Sequence, residues 1–173
     1  MVALWVYEAY RIERPAIAVE ELNTRESLWR ATARKLSAFG TSMGEIVQGV
    51  TAVNEGPGAN EFAEFMKGTS ASPDAIGKAK DDAGEFAAAC SAAAQKLTDT
   101  VTAMDAATDI VDAKYSSYAA IVNSFTGGGP PNPDFYAQTE CKDMWKKMLD
   151  LEKNAVKEIE GIFSFAVDIP SDI

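Results

Sequence analysis

The chain has 173 residues, with 16 Lys and Arg against 26 Asp and Glu, no His and a formal net charge of −10. This length suits one domain that buries its own core, and the acidic balance lacks the positive surface expected of a nucleic-acid or anionic-membrane binder. Because there is no His, His-based catalytic triads, acid–base pairs and zinc sites are excluded, and two Cys are too few for a structural zinc cluster or a disulfide framework. The composition therefore argues against most enzymes and favours a non-enzymatic helical interaction module that needs no cofactor.

The N-terminal segment, residues 1–22, does not have the pattern of a targeting signal. It begins with apolar residues, but no Lys or Arg precedes them, and Glu8 and Arg11 soon follow. A secretory signal needs a basic start and a longer apolar stretch, and no stretch of the chain approaches the roughly 18 apolar residues of a membrane-spanning helix. We therefore expect a chain made in the cytoplasm, without a membrane span, whose first residues form a short packed segment, either a strand or the first turns of a helix.

The first long helix is predicted over residues 23–53. Asn23 followed by Glu26 fits a capping box, while Pro15 also suits a first helical position and would place the start as early as Ala16. Apolar residues recur along this helix at alternating steps of three and four, as in helix–helix packing; this seam comprises Trp29, Thr32, Leu36, Phe39, Met43, Ile46, Val50 and Val53. Three glycines on the same helix would allow a close approach by a neighbouring helix: Gly40, Gly44 and Gly49.

A short helix over residues 59–67 and a long helix over residues 74–125 are predicted next. Gly and Pro at residues 56–58 end the first helix, and Ser72 with Pro73 provides a cap and a first turn for the long one. Its apolar seam follows the same alternation except for one step near Leu97: Ile76, Ala79, Ala83, Phe86, Cys90, Ala93, Leu97, Val101, Met104, Thr108, Val111, Tyr115, Tyr118, Val122 and Phe125.

A last helix is predicted over residues 134–166, after a break of Gly and Pro residues at 126–133. Its seam comprises Cys141, Met144, Met148, Leu151, Ala155, Ile159, Ile162 and Phe165, and Trp145 widens the apolar face. Residues 167–173 form a short acidic tail that is expected to fray.

These elements predict a single all-α domain, an elongated antiparallel helical hairpin or bundle (residues 23–125) with a long central helix (residues 74–125) and an additional C-terminal helix (residues 134–166). Short breaks between long helices favour antiparallel neighbours. Folding the chain at its two breaks separates Cys90 and Cys141 by roughly 40 Å along the central helix, whereas a disulfide needs Cα atoms within about 7 Å. We therefore expect two separate, reduced, packed cysteines, and apolar helix faces that remain open for self-association.

The turn between the first two predicted helices carries Gly56, Gly58, Ala59 and Phe62. A seam helix, a Gly turn with a small residue and an aromatic after it, and a second seam helix together resemble the WXG100, or ESAT-6-like, superfamily of type VII secretion. Asn54 stands where many members of that family have Trp. The resemblance implies a secreted or secretion-associated helical protein that acts by binding.

A candidate export signal lies beyond that hairpin. The same family uses a Tyr-x-x-x-Asp/Glu signal, and Tyr136 with Glu140 fits this pattern. The structural alternative is that Tyr136 packs near a helix start while Glu140 sits favourably in its first turns.

Other residues that could carry chemistry have simpler structural explanations. Asp and Glu pairs at helical spacing could bind a metal, but a di-iron bundle needs Glu-x-x-His pairs and the chain has no His. Cys90 and Cys141 lie on apolar seams and fit small core residues better than reactive thiols. Trp29 and Trp145 suit a core or, alternatively, an anchor for a partner helix.

The first functional hypothesis is therefore a type VII secretion substrate, adaptor or partner of a toxin that pairs through apolar helix seams, as a homodimer or heterodimer. Its location would be extracellular, reached without a signal peptide, or cytoplasmic. The hairpin would be held together by packing against Phe86, Cys90 and Leu97 of five residues of the first helix: Leu36, Phe39, Met43, Ile46 and Val50. The alternatives are an unrelated structural or surface coiled-coil scaffold and, third, an enzyme or metal carrier based on carboxylates.

Overall fold

The computed structural model describes residues 2–54 and 56–165, so the expected fraying of residues 167–173 lies outside the described part. The predicted all-α class is confirmed there, because the described residues form six helices and no strand. The helices are α1 (Leu4–Tyr10), α2 (Ala16–Val53), α3 (Pro57–Lys67), α4 (Pro73–Thr126), α5 (Pro133–Glu140) and α6 (Lys142–Ile162).

The helices belong to two compact units. Unit 1 comprises Met1–Glu21 and Ala92–Ile173, and unit 2 comprises Leu22–Ser91. Both long helices contribute to both units: α2 begins in unit 1 and continues through unit 2, and α4 does the reverse.

Unit 1 is built around the N-terminal helix. The first residues, expected to form a short packed segment, form α1, whose buried side chains join those of α4, α5 and α6 in one apolar cluster. This cluster comprises Ala3, Val6, Tyr7, Ala9, Tyr10, Ile12, Met104, Ala107, Val111, Ala137, Cys141 and Met148. An ion pair between Lys96 and Glu158, at 2.6 Å, also joins α4 to α6.

Unit 2 has a core of mostly small side chains. Its buried apolar residues are Ala59, Met66, Ile76, Ala83, Ala87, Ala89 and Cys90. Trp29 of α2 stacks on Phe86 of α4, with ring centroids 4.9 Å apart. The Ser72 cap is confirmed, since its Oγ accepts a hydrogen bond from the Ala75 amide at 3.1 Å.

Two helix boundaries differ from those that the local signals favour. The first long helix begins at Ala16, so Asn23 and Glu26 lie inside it rather than at its start. Both residue types are also tolerated in the middle of a surface helix. The start of the helix is marked by Pro15 instead. The last predicted helix is divided at Cys141, where φ is −120° and ψ is 27°. No Gly or Pro marks this break, and the Cys141 carbonyl oxygen accepts a hydrogen bond from the Tyr10 hydroxyl at 2.8 Å in addition to those from the Met144 and Trp145 amides of α6.

The three glycines of α2 have different surroundings. A Cβ on Gly40 would lie 3.1 Å from Cγ2 of Ile76, so Gly40 does allow a close approach of α2 to α4. A Cβ built on Gly44 or on Gly49 would have no neighbouring atom within 4 Å. The close-approach explanation therefore applies to one of the three.

Candidate functional site

The large apolar residues of the α2 seam, together with Leu28, form two rows in the structure. The inner row, Trp29, Leu36, Met43 and Val50, is part-buried. The outer row consists of Leu28, Phe39, Ile46 and Val53, which are 65%, 50%, 53% and 80% exposed. No residue of α2 is fully buried, although the helix has 38 residues.

The exposure of Phe39 and Ile46 differs from the expectation that they pack in the hairpin. Both were expected against α4, yet each is half-exposed. The part of α4 in unit 2 presents small side chains such as Ala83 and Ala87. A seam with alternating spacing has two rows of apolar side chains, and the narrow face of α4 covers only one of the two rows on α2.

The outer row follows one side of α2. At about 100° per residue, residues 28, 39, 46 and 53 lie within an arc of about 40°, and they extend over about 38 Å of helix. Three of them repeat at the seven-residue interval that pairs helices in coiled coils. This is the largest ordered set of exposed apolar side chains on the described part of unit 2.

The predicted turn residues surround one open depression in unit 2. Gly56, Gly58, Ala59 and Phe62 line a space of about 520 Å³, together with Val50 and Asn54. Gly56 has a φ of 149°, a conformation that L side chains rarely adopt, which gives this turn a specific need for Gly. The structure therefore brings these four residues together, but only Gly56 lies outside a helix, because Gly58, Ala59 and Phe62 belong to α3, where Ala59 is buried.

Outside α2, Leu97, Met104 and Trp145 of the predicted seams belong to the core or its edge, whereas Phe125 at the end of the α4 seam is 85% exposed. Met104 is fully buried, Trp145 packs against the unit 1 cluster, and Leu97 is part-buried. Both cysteines are free and buried, and burial raises the pKa of each thiol above its ordinary value. A raised pKa disfavours the nucleophilic thiolate, in agreement with packed core residues.

Tyr136 of the candidate export signal lies in an aromatic cluster of unit 1. Its ring stacks on Tyr118, with centroids 4.8 Å apart, and contacts Tyr115 at 5.7 Å. Trp5 extends the cluster, 5.4 Å from Tyr115. Glu140 is exposed at the end of α5, so of the two signal residues only Glu140 is fully presented to solvent.

Sequence reasoning did not find the polar contacts that hold α1 in place. Asp105 of α4 accepts hydrogen bonds from Tyr7 and Arg14, and Trp5 donates to Asp112 at 2.7 Å. Hydrogen bonding to Arg14 lowers the pKa of Asp105, whereas burial, followed by the Asp105 contact, raises the pKa of Tyr7. All five Arg lie between residues 11 and 34. This clustering is the one sequence feature that points to a contact in this region, but it does not identify Asp105 as the partner of Arg14.

Metal binding and membrane crossing find no support in the described residues. No group of three or more Cys, Asp and Glu side chains among them is close enough to hold a metal ion. No helix within residues 2–54 and 56–165 combines the length and the apolar character needed to span a membrane.

Comparison of the chain with protein-family models, with curated proteins and with solved structures finds no match.

Proposed function

We propose that this protein is a helical interaction module that pairs, through the outer row of α2, with an apolar helix of a second copy of the chain. The single observation that carries this proposal is the exposure of four large apolar side chains on one side of one helix. Ordered apolar patches of this kind mark protein contacts more often than isolated exposed residues do.

The seven-residue repeat favours a helix as the occupant. Phe39, Ile46 and Val53 are spaced so that a helix with the same repeat can place its own side chains between them. The chain itself supplies such a helix, and a two-fold dimer needs only one self-complementary surface. Burial of apolar area, at about 25 cal/mol per Å², is the driving force.

Net charge opposes this pairing and makes it dependent on salt. Two copies with a formal charge of −10 each repel one another, and at 0.15 M salt this repulsion is screened beyond about 8 Å. We therefore expect association to strengthen as the ionic strength rises, which is the reverse of the behaviour of a contact held by ion pairs.

The test is light scattering over a range of protein concentrations. We expect the wild-type mass to approach twice that of a monomer, and the Phe39→Ser, Ile46→Ser double variant to remain monomeric. The matched control is Ile121→Ser, Phe125→Ser, which removes two exposed apolar side chains, 57% and 85% exposed, from the unit 1 part of α4. Equal association of the wild type and the α2 variant would contradict the proposal.

The finer proposal is that this pairing serves type VII secretion, with the protein as a substrate or adaptor. It is supported by the Gly-containing connection after α2, at the start of the short helix α3, and by the exposed Glu140 four residues after Tyr136. Export by a type VII apparatus would distinguish it from an unrelated helical scaffold, and replacing Glu140 by Gln tests whether this residue is part of an export signal.

A further inference from the structure

A small pocket in unit 1 lies where α1 ends and α6 begins. It encloses about 210 Å³ and is lined by Ala9, Tyr10, Arg11, Gln138, Lys142 and Trp145. None of these six residues belongs to the outer row of α2 or to the turn at residues 56–58, so the pocket is separate from the surfaces considered above.

The walls of the pocket are held in position by hydrogen bonds. Tyr10 is buried, and its hydroxyl donates to the Cys141 carbonyl oxygen at 2.8 Å. Gln138 donates from Nε2 to the Ala9 carbonyl oxygen at 3.0 Å. These two contacts connect α1 to α5 and to the start of α6, so the pocket exists before any ligand arrives, which lowers the cost of binding.

The residues that line the pocket carry positive charge, opposite to the net charge of the chain, while Asp143 acts on Tyr10 from outside the lining. Arg11 and Lys142 are both cationic and exposed, no lining residue is acidic, and neither cation takes part in the ion pairs found among residues 2–54 and 56–165. An Arg guanidinium matches a carboxylate in shape and can bind it with two hydrogen bonds. Two cations beside one pocket, in a chain of net charge −10, favour an anionic ligand.

The apolar walls and the volume of the pocket limit the chemical character and the size of the uncharged part of the ligand. Tyr10 and Trp145 supply aromatic surface, and Ala9 leaves room between them. A cavity of about 150 Å³ accommodates benzene, whereas drug-sized ligands need about 300 Å³ or more. A volume of about 210 Å³ therefore fits one ring with a small polar group.

We propose that this pocket binds a small carboxylate that carries a single aromatic ring. The ring lies against Tyr10 and Trp145, and the carboxylate is held by Arg11 and Lys142. The hydrogen-bonded walls of the pocket orient the ligand, and its volume accommodates one ring.

Phenylacetate is the probe, and the three tryptophan indole N–H signals in a nitrogen–proton NMR spectrum are the readout. We expect the Trp145 signal to shift in a saturable way with a Kd of about 1–10 mM, which is reasonable for a ligand of this size. The Trp5 indole, bonded to Asp112, and the Trp29 indole in unit 2 should not move. Phenylacetamide, which has the same shape without the charge, and acetate, which lacks the ring, should each bind at least about tenfold more weakly.

The Arg11→Gln, Lys142→Gln double variant should lose at least about tenfold in affinity for phenylacetate. The matched control is Arg34→Gln, Lys35→Gln, which removes two exposed cations from unit 2 and should bind normally. An unmoved Trp5 signal reports that α1 is still docked in the pocket variant, and Lys142→Gln alone tests the site without altering α1. No Trp145 shift at about 20 mM phenylacetate, equal binding of the amide, or an equal loss in the control would overturn the proposal.

Discussion

Arg14 and Asp105 form a bidentate ion pair between residues that are 91 positions apart in the sequence. The Nε···Oδ1 distance is 2.9 Å and the Nη2···Oδ2 distance is 2.6 Å. Tyr7 donates a third hydrogen bond to the same carboxylate, at 2.8 Å. Because the pair connects the segment after α1 to the middle of α4, it fixes the position of the N-terminal helix in unit 1.

Replacing Asp105 by Asn should destabilise unit 1 by about 2–3 kcal/mol, because Arg14 and Tyr7 would both lose a charged acceptor. The free energy of unfolding in urea measures the loss. Asp109→Asn, four residues further along α4 at an exposed position, is the control and should change stability by no more than about 0.5 kcal/mol. Similar losses in both variants would contradict the role assigned to Asp105.

The contribution of Asp105 should also depend on pH. Hydrogen bonding to Arg14 lowers the pKa of Asp105 in the folded state, relative to about 3.9 in the unfolded chain. A lowered folded pKa stabilises the protein fully at pH values above the unfolded pKa, and this stabilisation is lost as pH falls through the folded value.

The stability difference between wild type and Asp105→Asn should therefore be constant above about pH 5 and shrink below about pH 4. Urea unfolding of both proteins at several pH values measures this difference, and the other carboxylates cancel in the comparison. A difference that stays unchanged down to about pH 2.5 would show that the Asp105 charge is not involved.

Replacing Gly40 or Gly44 of α2 by Ala should change the stability of the protein in different ways. Gly44→Ala adds a methyl group to open space, so we expect stabilisation by about 0.5–1 kcal/mol from helix propensity. Gly40→Ala places its Cβ 3.1 Å from Cγ2 of Ile76, and the resulting overpacking should cancel or exceed that gain. Thermal unfolding of the two variants checks the order, and a more stable Gly40→Ala variant would contradict the close packing of α2 on α4.

Glu140→Gln tests the proposed link with type VII secretion. Glu140 is exposed, so this change should alter the free energy of unfolding by no more than about 0.5 kcal/mol, while export into the medium of a host with a type VII apparatus should fall to a small fraction of the wild-type level. Glu152→Gln, at another exposed acidic position, should be exported normally. Deleting residues 136–140 is a poorer test because Tyr136 packs against Tyr115 and Tyr118. Undiminished export of Glu140→Gln would contradict the assignment of this signal.

Local signals predicted most of the helices. Pro15, Pro73 and the Gly and Pro residues at 126–133 act through the backbone of their own neighbourhood, so their effect is visible in a single sequence. The break at Cys141 has no such signal. A tyrosine 131 residues away bonds its carbonyl group, and only the folded chain brings the two together.

The candidate surfaces were predicted in part. The alternating spacing identified Phe39 and Ile46 as apolar contact residues, but spacing does not say whether the contact lies inside the chain or outside it. That depends on the width of the facing helix, which in unit 2 presents mainly alanine. The pocket at Arg11 and Lys142 joins residues of three helices, and neither periodicity nor composition relates them.

The two buried cysteines have a further consequence. Cys90 belongs to unit 2 and Cys141 to unit 1, so each unit contains one native thiol that is shielded while its own part of the chain is closed. A thiol reagent can reach each sulfur atom only during local or global opening. The rate of labelling at each cysteine therefore gives a separate opening free energy for each unit, measured in the unmodified protein under native conditions.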